Sequence, residues 1–187
     1  MTALSNANEV TEAMRKVRQS RQYTDQPVSD NILNELLTVA QWTGSGRNRQ
    51  PWHFIVINDK EQLRAVSQVR TPINWVADAP LAIAIVLDGG ERDVSEAYDE
   101  GRVTERLMIA AHVLGLAGGV AWFGDESEQA AAKEVLGISA DRTARSVVTI
   151  GYSTTSKDPR PNPTTGGRHP LSEIVSYGKM GNSNPSS

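Results

Sequence analysis

The sequence predicts one compact domain of mixed helices and strands, on three observations. Apolar residues recur at helical spacing in several stretches, short aliphatic runs lie between those stretches, and 187 residues suffice to bury a single core. Hydrophobic residues make up 39% of the chain and charged ones 22%, a globular balance rather than a disordered one. The formal net charge of −3 argues against non-specific nucleic-acid binding, so any basic cluster must be local. Without cysteine, disulfide staples, thiolate catalysis and Cys-type zinc sites are excluded, which fits a cytoplasmic protein. The first eight residues are polar and hold no apolar signal region, and the longest apolar run, residues 81–87, is too short to span a bilayer. A soluble protein with no membrane partner is expected.

The elements follow in order. Ordered structure is expected from about Glu9. A clearer helix starts at Ser29 as N-cap with Asp30 in its first turn; Ile32, Leu33, Leu36, Leu37 and Ala40 share one face, and the helix is expected to end near Gly44. Residues 54–57 read as a strand closed by Asn58-Asp59, after which Asp59 and Gln62 cap a helix carrying Leu63 and Val66. Residues 81–87 are mostly aliphatic and predict a strand covered on both faces. From Asp93 to about Leu116 a long helix is predicted, with Asp93 and Glu96 at capping spacing and Val103, Leu107, Ala110, Ala111 and Leu114 on one stripe; Gly118-Gly119 is expected to stop it. Residues 120–123 predict a short strand, 126–136 a helix closed by Gly137, and 146–150 a last core strand. Residues 153–167 read as a surface excursion before a short segment at 171–177, and the tail from Gly178 is expected to be disordered. The ordered core thus covers about residues 9–177 of one domain spanning 1–187.

Three clusters carry chemistry. Arg15, Arg18 and Arg21 are spaced by three and share one side if their segment stays helical, where planar donor forks suit a phosphate; a solvated basic face is the competing reading. In the loop of residues 44–51, glycines allow close backbone approach and Ser45, Asn48 and Gln50 offer hydrogen bonds to hydroxyls or a ring edge. The competing reading is a plain loop whose Ser and Asn satisfy their own backbone. Arg168, in Gly166-Gly167-Arg168-His169-Pro170, sits on flexible chain and by itself reads as an exposed loop arginine. His53, His112 and His169 lack ligand spacing, so no metal site is expected, and neither a Gly-x-Ser-x-Gly elbow nor a Walker-type loop is present. Trp42, Trp52, Trp75 and Trp122 read as core or interface anchors. Cofactor-like clusters without an acid–base constellation point to a cofactor that supplies the chemistry.

The run from Arg18 to Val28, Arg-Gln-Ser-Arg-Gln-Tyr-Thr-Asp-Gln-Pro-Val, and the later run from Ser45 to Phe54, Ser-Gly-Arg-Asn-Arg-Gln-Pro-Trp-His-Phe, together resemble the nitroreductase family of FMN-dependent oxidoreductases. Ala79-Pro80 before an aliphatic strand, Leu114-Gly115-Leu116, Ile150-Gly151-Tyr152 and Arg168-His169-Pro170-Leu171 extend the resemblance over roughly residues 10–175. It implies an α+β, nitroreductase-like three-layer sandwich, with a central, mainly antiparallel sheet flanked by helices. It also implies an intertwined homodimer with FMN at the subunit interface. By position, Arg18 and Arg21 match arginines that reach the FMN phosphate and pyrimidine end, Arg168 matches a late phosphate-binding arginine, and Ser45, Asn48 and Gln50 match the loop around the ribityl chain and ring. A main-chain N–H after the long helix faces flavin N5 in the family, and the matching stretch is residues 118–122. The resemblance therefore nominates Arg18, Gln19, Ser20, Arg21, Ser45, Asn48, Gln50, Gly118, Gly119 and Arg168 for the cofactor, and Gly46, Arg47 and Trp122 for the substrate face.

The chain departs from the family at Val17, where a second arginine is common, at Gln19, where serine is usual, and at Thr43-Gly44-Ser45, where Ala-Pro-Ser is common. Arg47 stands where a small residue is frequent, which points to an anionic acceptor. The implied activity is ping-pong transfer from NADH or NADPH through FMN to a nitroaromatic, quinone or activated alkene. A non-enzymatic flavin-storage or sensing protein is the alternative, and its sign would be a substrate face filled by Arg47 and Trp122.

Overall fold

The computed structural model describes residues 3–90, 93–154 and 167–182. The chain falls into two compact units, Met1–Thr154 and Thr155–Ser187. In the first, α1 spans Ala3–Lys16, so helical structure begins before the expected Glu9. Helix α2 (Asp30–Gln41) starts as the sequence predicts: the Ser29 hydroxyl accepts the Ile32 N–H at 3.4 Å. It ends at Trp42, ahead of Gly44, with the Trp42 N–H donating to the Thr38 carbonyl. Helix α3 (Lys60–Gln68) is capped by Asp59, whose carboxylate accepts the Gln62 N–H at 2.8 Å.

Helix α4 (Asp93–Val113) stops earlier than expected, and Gly115 stops it rather than Gly118-Gly119. Gly115 takes a φ of +78°, the Leu116 N–H donates to the Ala111 carbonyl at 2.8 Å and the Gly115 N–H to the His112 carbonyl at 3.1 Å. These two bonds close the last turn around a left-handed residue, a conformation that glycine adopts without a Cβ clash. Glu96 does not turn back on its own helix: its carboxylate accepts the Gly89 N–H at 2.9 Å. Helix α5 (Glu126–Leu136) carries a full capping box between Asp125 and Glu128 and ends on left-handed Gly137.

Four strands, β1 (Trp52–Ile57), β2 (Leu81–Leu87), β3 (Ala117–Trp122) and β4 (Thr143–Gly151), form one antiparallel sheet in the order β1-β2-β4-β3. Freed by the early end of α4, Gly118 and Gly119 lie inside β3, and β4 begins three residues ahead of the predicted Ser146. Strand β2 is buried throughout, as its composition predicts. Its alternating residues build two cores: Leu81, Ile83, Ile85 and Leu87 meet Leu36 of α2 and Val103 and Leu107 of α4, while Ala82 and Ala84 join the cluster of Leu63 and Val66 of α3 and Ala132 and Leu136 of α5. The result is an α+β three-layer sandwich, helices on both faces of an antiparallel sheet. A 3₁₀ stretch, Thr71–Asp78, connects α3 to β2.

Two of the tryptophans are not core residues of the single chain: Trp42 is 76% exposed and Trp122 54%. Among the described residues, no helix is long and apolar enough to cross a membrane. In the second unit, α6 covers Leu171–Ile174, shorter than the predicted 171–177. The predicted surface excursion lies almost wholly outside the described residues, as do the last five residues of the tail.

Candidate functional site

Helix α1 ends at Lys16, so Arg15, Arg18 and Arg21 do not share a helical face as their spacing predicted. The reason is tertiary. Residues 19–24 run extended beside the sheet: Gln19 forms a parallel bridge with Gly118, the Ser20 N–H donates to the Gly118 carbonyl at 2.7 Å, and the Thr24 N–H donates to the Tyr152 carbonyl at 2.8 Å. The Gln19 side chain adds a bond to the Val120 carbonyl at 3.2 Å. The cationic strip is thus seated at the outer edge of β3. Arg18 is half-buried and its Nη1 donates to the Arg15 and Val17 carbonyls, both at 2.6 Å. Arg21 is exposed and lies over the Trp75 ring, 5.7 Å from its centroid.

The seat requires glycine at one point. A Cβ on Gly119 would collide with the Ser20 carbonyl oxygen and come within 3.0 Å of the Tyr23 hydroxyl and 3.1 Å of Thr149 Oγ1. Gly118 is also buried, with the Met108 sulfur filling the space on its open side. At both glycines, nominated for the cofactor through their main chain, the space a Cβ would take is filled by the chain's own atoms. Tyr23 is buried; its hydroxyl meets the Ser20 carbonyl at 2.9 Å and Thr149 Oγ1 at 2.7 Å. Burial pushes its phenol up to about 12, against the opposing pull of the bond to Thr149.

The loop of residues 44–51 is the second candidate. It holds three non-glycine residues at positive φ: Arg47 at 55°, Asn48 at 54° and Gln50 at 51°. Left-handed backbone is costly for residues with a Cβ, and such strain collects where a backbone must be held in one shape. Ser45 supports it from within. Its hydroxyl accepts the Gln50 N–H at 2.8 Å and its carbonyl accepts the Asn48 N–H at 3.0 Å. Gly46, Arg47, Asn48 and Gln50 are exposed and Ser45 half-exposed. At the loop's root, Thr43 is 4% exposed and its hydroxyl oxygen has no hydrogen-bond partner.

Trp122 closes β3 and is held by a residue the sequence reading missed. The Arg70 guanidinium lies 5.5 Å from the indole centroid, donates from Nη1 to the Trp122 carbonyl at 3.3 Å and pairs through Nε with Glu128 at 3.4 Å. Glu128 also accepts the Asp125 N–H at 2.9 Å, so the cap of α5 is linked through Arg70 to Trp122. The Ser127 hydroxyl first, then the Glu128 N–H, hold the Asp125 carboxyl below the usual carboxylate range. Arg70, Trp75 and Tyr23 have no local sequence signal, because their partners are distant in the chain.

Strip and loop do not converge within one chain. Strands β1 and β3 are the two edges of the sheet. Trp52, next to the loop, pairs with Leu87 at the end of β2, whereas Gly118 lies level with Ile150, which pairs with Leu81 at the start of β2. The attachment points are therefore diagonal corners, roughly 14 Å apart across the strands and on the order of 20 Å along them. In the second unit, Arg168 is exposed and precedes α6, and the neighbouring His169 Nδ1 lies 3.2 Å from Glu173. His53 is exposed and His112 half-buried. Among the described residues, no three His, Cys, Asp or Glu side chains group as ligands for a metal ion.

The model of the Nitroreductase family matches residues 14–86. A protein of Archaeoglobus fulgidus provisionally named NADH dehydrogenase/NAD(P)H nitroreductase is 34% identical over 149 residues, covering 75% of this chain and 83% of its own length. Among solved structures, an FMN-dependent nitroreductase of Clostridium difficile superposes with a TM-score of 0.71 at 28% identity, over 78% of this chain and 88% of that one. A provisionally named nitroreductase of Desulfovibrio desulfuricans, solved in complex with FMN, gives a TM-score of 0.76 at 25% identity, over 89% and 94% of the two chains.

Proposed function

The chain belongs to the nitroreductase family, and from that premise we propose that it is a homodimeric NAD(P)H-dependent FMN oxidoreductase whose cofactor lies between two copies. The observation that carries this reading is the diagonal separation of strip and loop. Each carries half of a polar, cation-lined site, and a second copy of the chain brings one molecule's strip to the other's loop.

The residues present fit FMN. Arg18 and Arg21 supply planar donor forks for a phosphate and for the electron-rich edge of a ring, with Gln19 and Ser20 between them. By the family resemblance, Arg168 is read as a further hydrogen-bond donor to the phosphate. Ser45, Asn48 and Gln50 supply hydroxyl and amide groups on a backbone already held in shape, and the unpartnered Thr43 hydroxyl at the loop's root is a buried polar atom suited to a ligand contact. FMN held there would supply hydride exchange between NADH or NADPH and an organic acceptor. The protein's part is positioning. Arg21, steadied by Trp75, sets positive charge at the pyrimidine end, and Trp122, steadied by Arg70, gives an apolar wall against water. Gly46 and Arg47 are read as bordering the acceptor; membership of the family suggests nitroaromatics, quinones or activated alkenes as the substrate class, and Arg47 favours their anionic members.

The test is the visible spectrum and the size of the purified protein, followed by anaerobic addition of NADH or NADPH. A yellow dimer bleached by either nucleotide is expected. A monomer that stays colourless after incubation with FMN would refute the proposal. Arg18→Ala and Arg168→Ala should each lower FMN content more than they lower thermal stability, and FMN content equal to the parent's would remove those two assignments.

A further inference from the structure

Ser20 is the centre of the cationic strip, and its peptide is fixed from both sides. Its N–H donates to the Gly118 carbonyl at 2.7 Å, and its carbonyl accepts the Tyr23 hydroxyl at 2.9 Å. Tyr23 in turn lies 2.7 Å from Thr149 Oγ1, and Thr149, fully buried in β4, donates to the Gly119 carbonyl at 3.1 Å. Two hydroxyl protons are shared among these three contacts, which together tie the strip to both β3 and β4. Thr149 stands between Val148 and Ile150 in β4 and is fully buried there. Gly119 leaves the gap these contacts need, since a Cβ there would meet the Ser20 carbonyl, the Tyr23 hydroxyl and Thr149 Oγ1.

We propose that the Tyr23–Thr149 hydroxyl pair is a positioning latch: it fixes the backbone of residues 18–21 so that the Arg18 guanidinium is preset for the phosphate of the cofactor. The proposal rests on the reading of this strip as a wall of the FMN site. Neither residue touches the phosphate; both act through the Ser20 carbonyl. Preset donors spend no binding energy on ordering the strip, whereas a strip freed at Ser20 must be ordered by the ligand itself. The latch therefore affects a ligand that has a phosphate more than one that lacks it.

This gives a test that a merely structural role would not pass. Full-length parent, Tyr23→Phe, Thr149→Val and Thr149→Ser proteins are equilibrated by dialysis against FMN and, separately, against riboflavin, which carries the same ring and ribityl chain without the phosphate. Loss of one hydroxyl contact to the strip is expected to raise the Kd for FMN about tenfold, the equivalent of about 1.4 kcal/mol. Riboflavin binding should change less than threefold, and Thr149→Ser, which keeps the hydroxyl, should stay near the parent. Thr149→Val preserves shape, so it keeps the test valid if Tyr23→Phe folds poorly. FMN affinity unchanged in Thr149→Val, or FMN and riboflavin weakened equally, would overturn the latch. A parent that binds neither flavin would instead sink the FMN reading itself.

Discussion

Replacing Arg70 with alanine removes a hydrogen bond to the Trp122 carbonyl, an ion pair with Glu128 and a cation stacked on the Trp122 indole. The ion pair is partly exposed, at 28% and 31% for the two side chains, so screening limits it to about 0.5 kcal/mol. The stack is on the order of 0.5–1 kcal/mol at this exposure, and the charge-assisted bond at 3.3 Å adds about 1 kcal/mol. The three share one side chain and are not additive, so a loss of about 2 kcal/mol is expected, equivalent to roughly 4–8 °C in Tm for a chain of this size. Thermal unfolding followed by circular dichroism measures the stability term, and the Trp122 contribution to fluorescence reports whether the ring is released. Arg70→Lys should fall between, since lysine keeps the charge and loses the planar fork. In the oxidoreductase reading, a released Trp122 also raises KM for the acceptor more than it lowers kcat. A Tm within 1 °C of the parent, with unchanged fluorescence and KM, would refute the idea that Arg70 holds this wall.

Three further outcomes follow from the same structure. Tyr23 has a folded pKa of about 12 against 10.0 in the unfolded chain, so its neutral form is favoured on folding. That contribution is complete below pH 10 and is lost as pH rises through 12, about 2–3 kcal/mol in all, and urea titrations between pH 9 and 12 should show a steeper loss in the parent than in Tyr23→Phe. Glu100 is 6% exposed and accepts from Arg145 at 3.0 Å and from the Ser146 hydroxyl at 2.8 Å, so Glu100→Ala is expected to cost about 3 kcal/mol by denaturant unfolding; a cost under about 1 kcal/mol would show that the network relaxes without it. Arg47→Ala should reduce kcat/KM for acidic acceptors relative to matched neutral ones, and an unchanged ratio would remove Arg47 as a determinant of substrate choice.

Local chemistry made part of the fold legible. Ser29 and Asp59 cap the helices they were expected to cap, Gly137 closes α5, and the unbroken aliphatic run of β2 is buried on both faces. What local pattern misplaced was decided by distant partners. Gly118-Gly119 resembled a helix stop, yet the two-bond closure around Gly115 had already ended α4, which left both glycines to β3 and to the close passage of Ser20. The three-residue spacing of the arginines suggested a helical face; the strip instead uses its backbone groups in hydrogen bonds to Gly118 and Tyr152. The clusters at 18–21 and 45–50 were visible as chemistry because charged and amide residues crowd there. Their supports were not, since Arg70 and Trp122 are 52 residues apart and Tyr23 and Thr149 are 126 apart, and nothing in a local window joins them.

The placement of strip and loop at opposite corners of one sheet has a genetic consequence. If each site takes its strip from one molecule and its loop from another, damage to the two elements is separable. A chain broken only in the strip and a chain broken only in the loop are each inactive alone. Co-expressed, they form mixed pairs in which one site joins two damaged halves and the other joins two intact ones. Partial activity recovered from two dead parents would therefore count the subunits in a site without any structure of the complex.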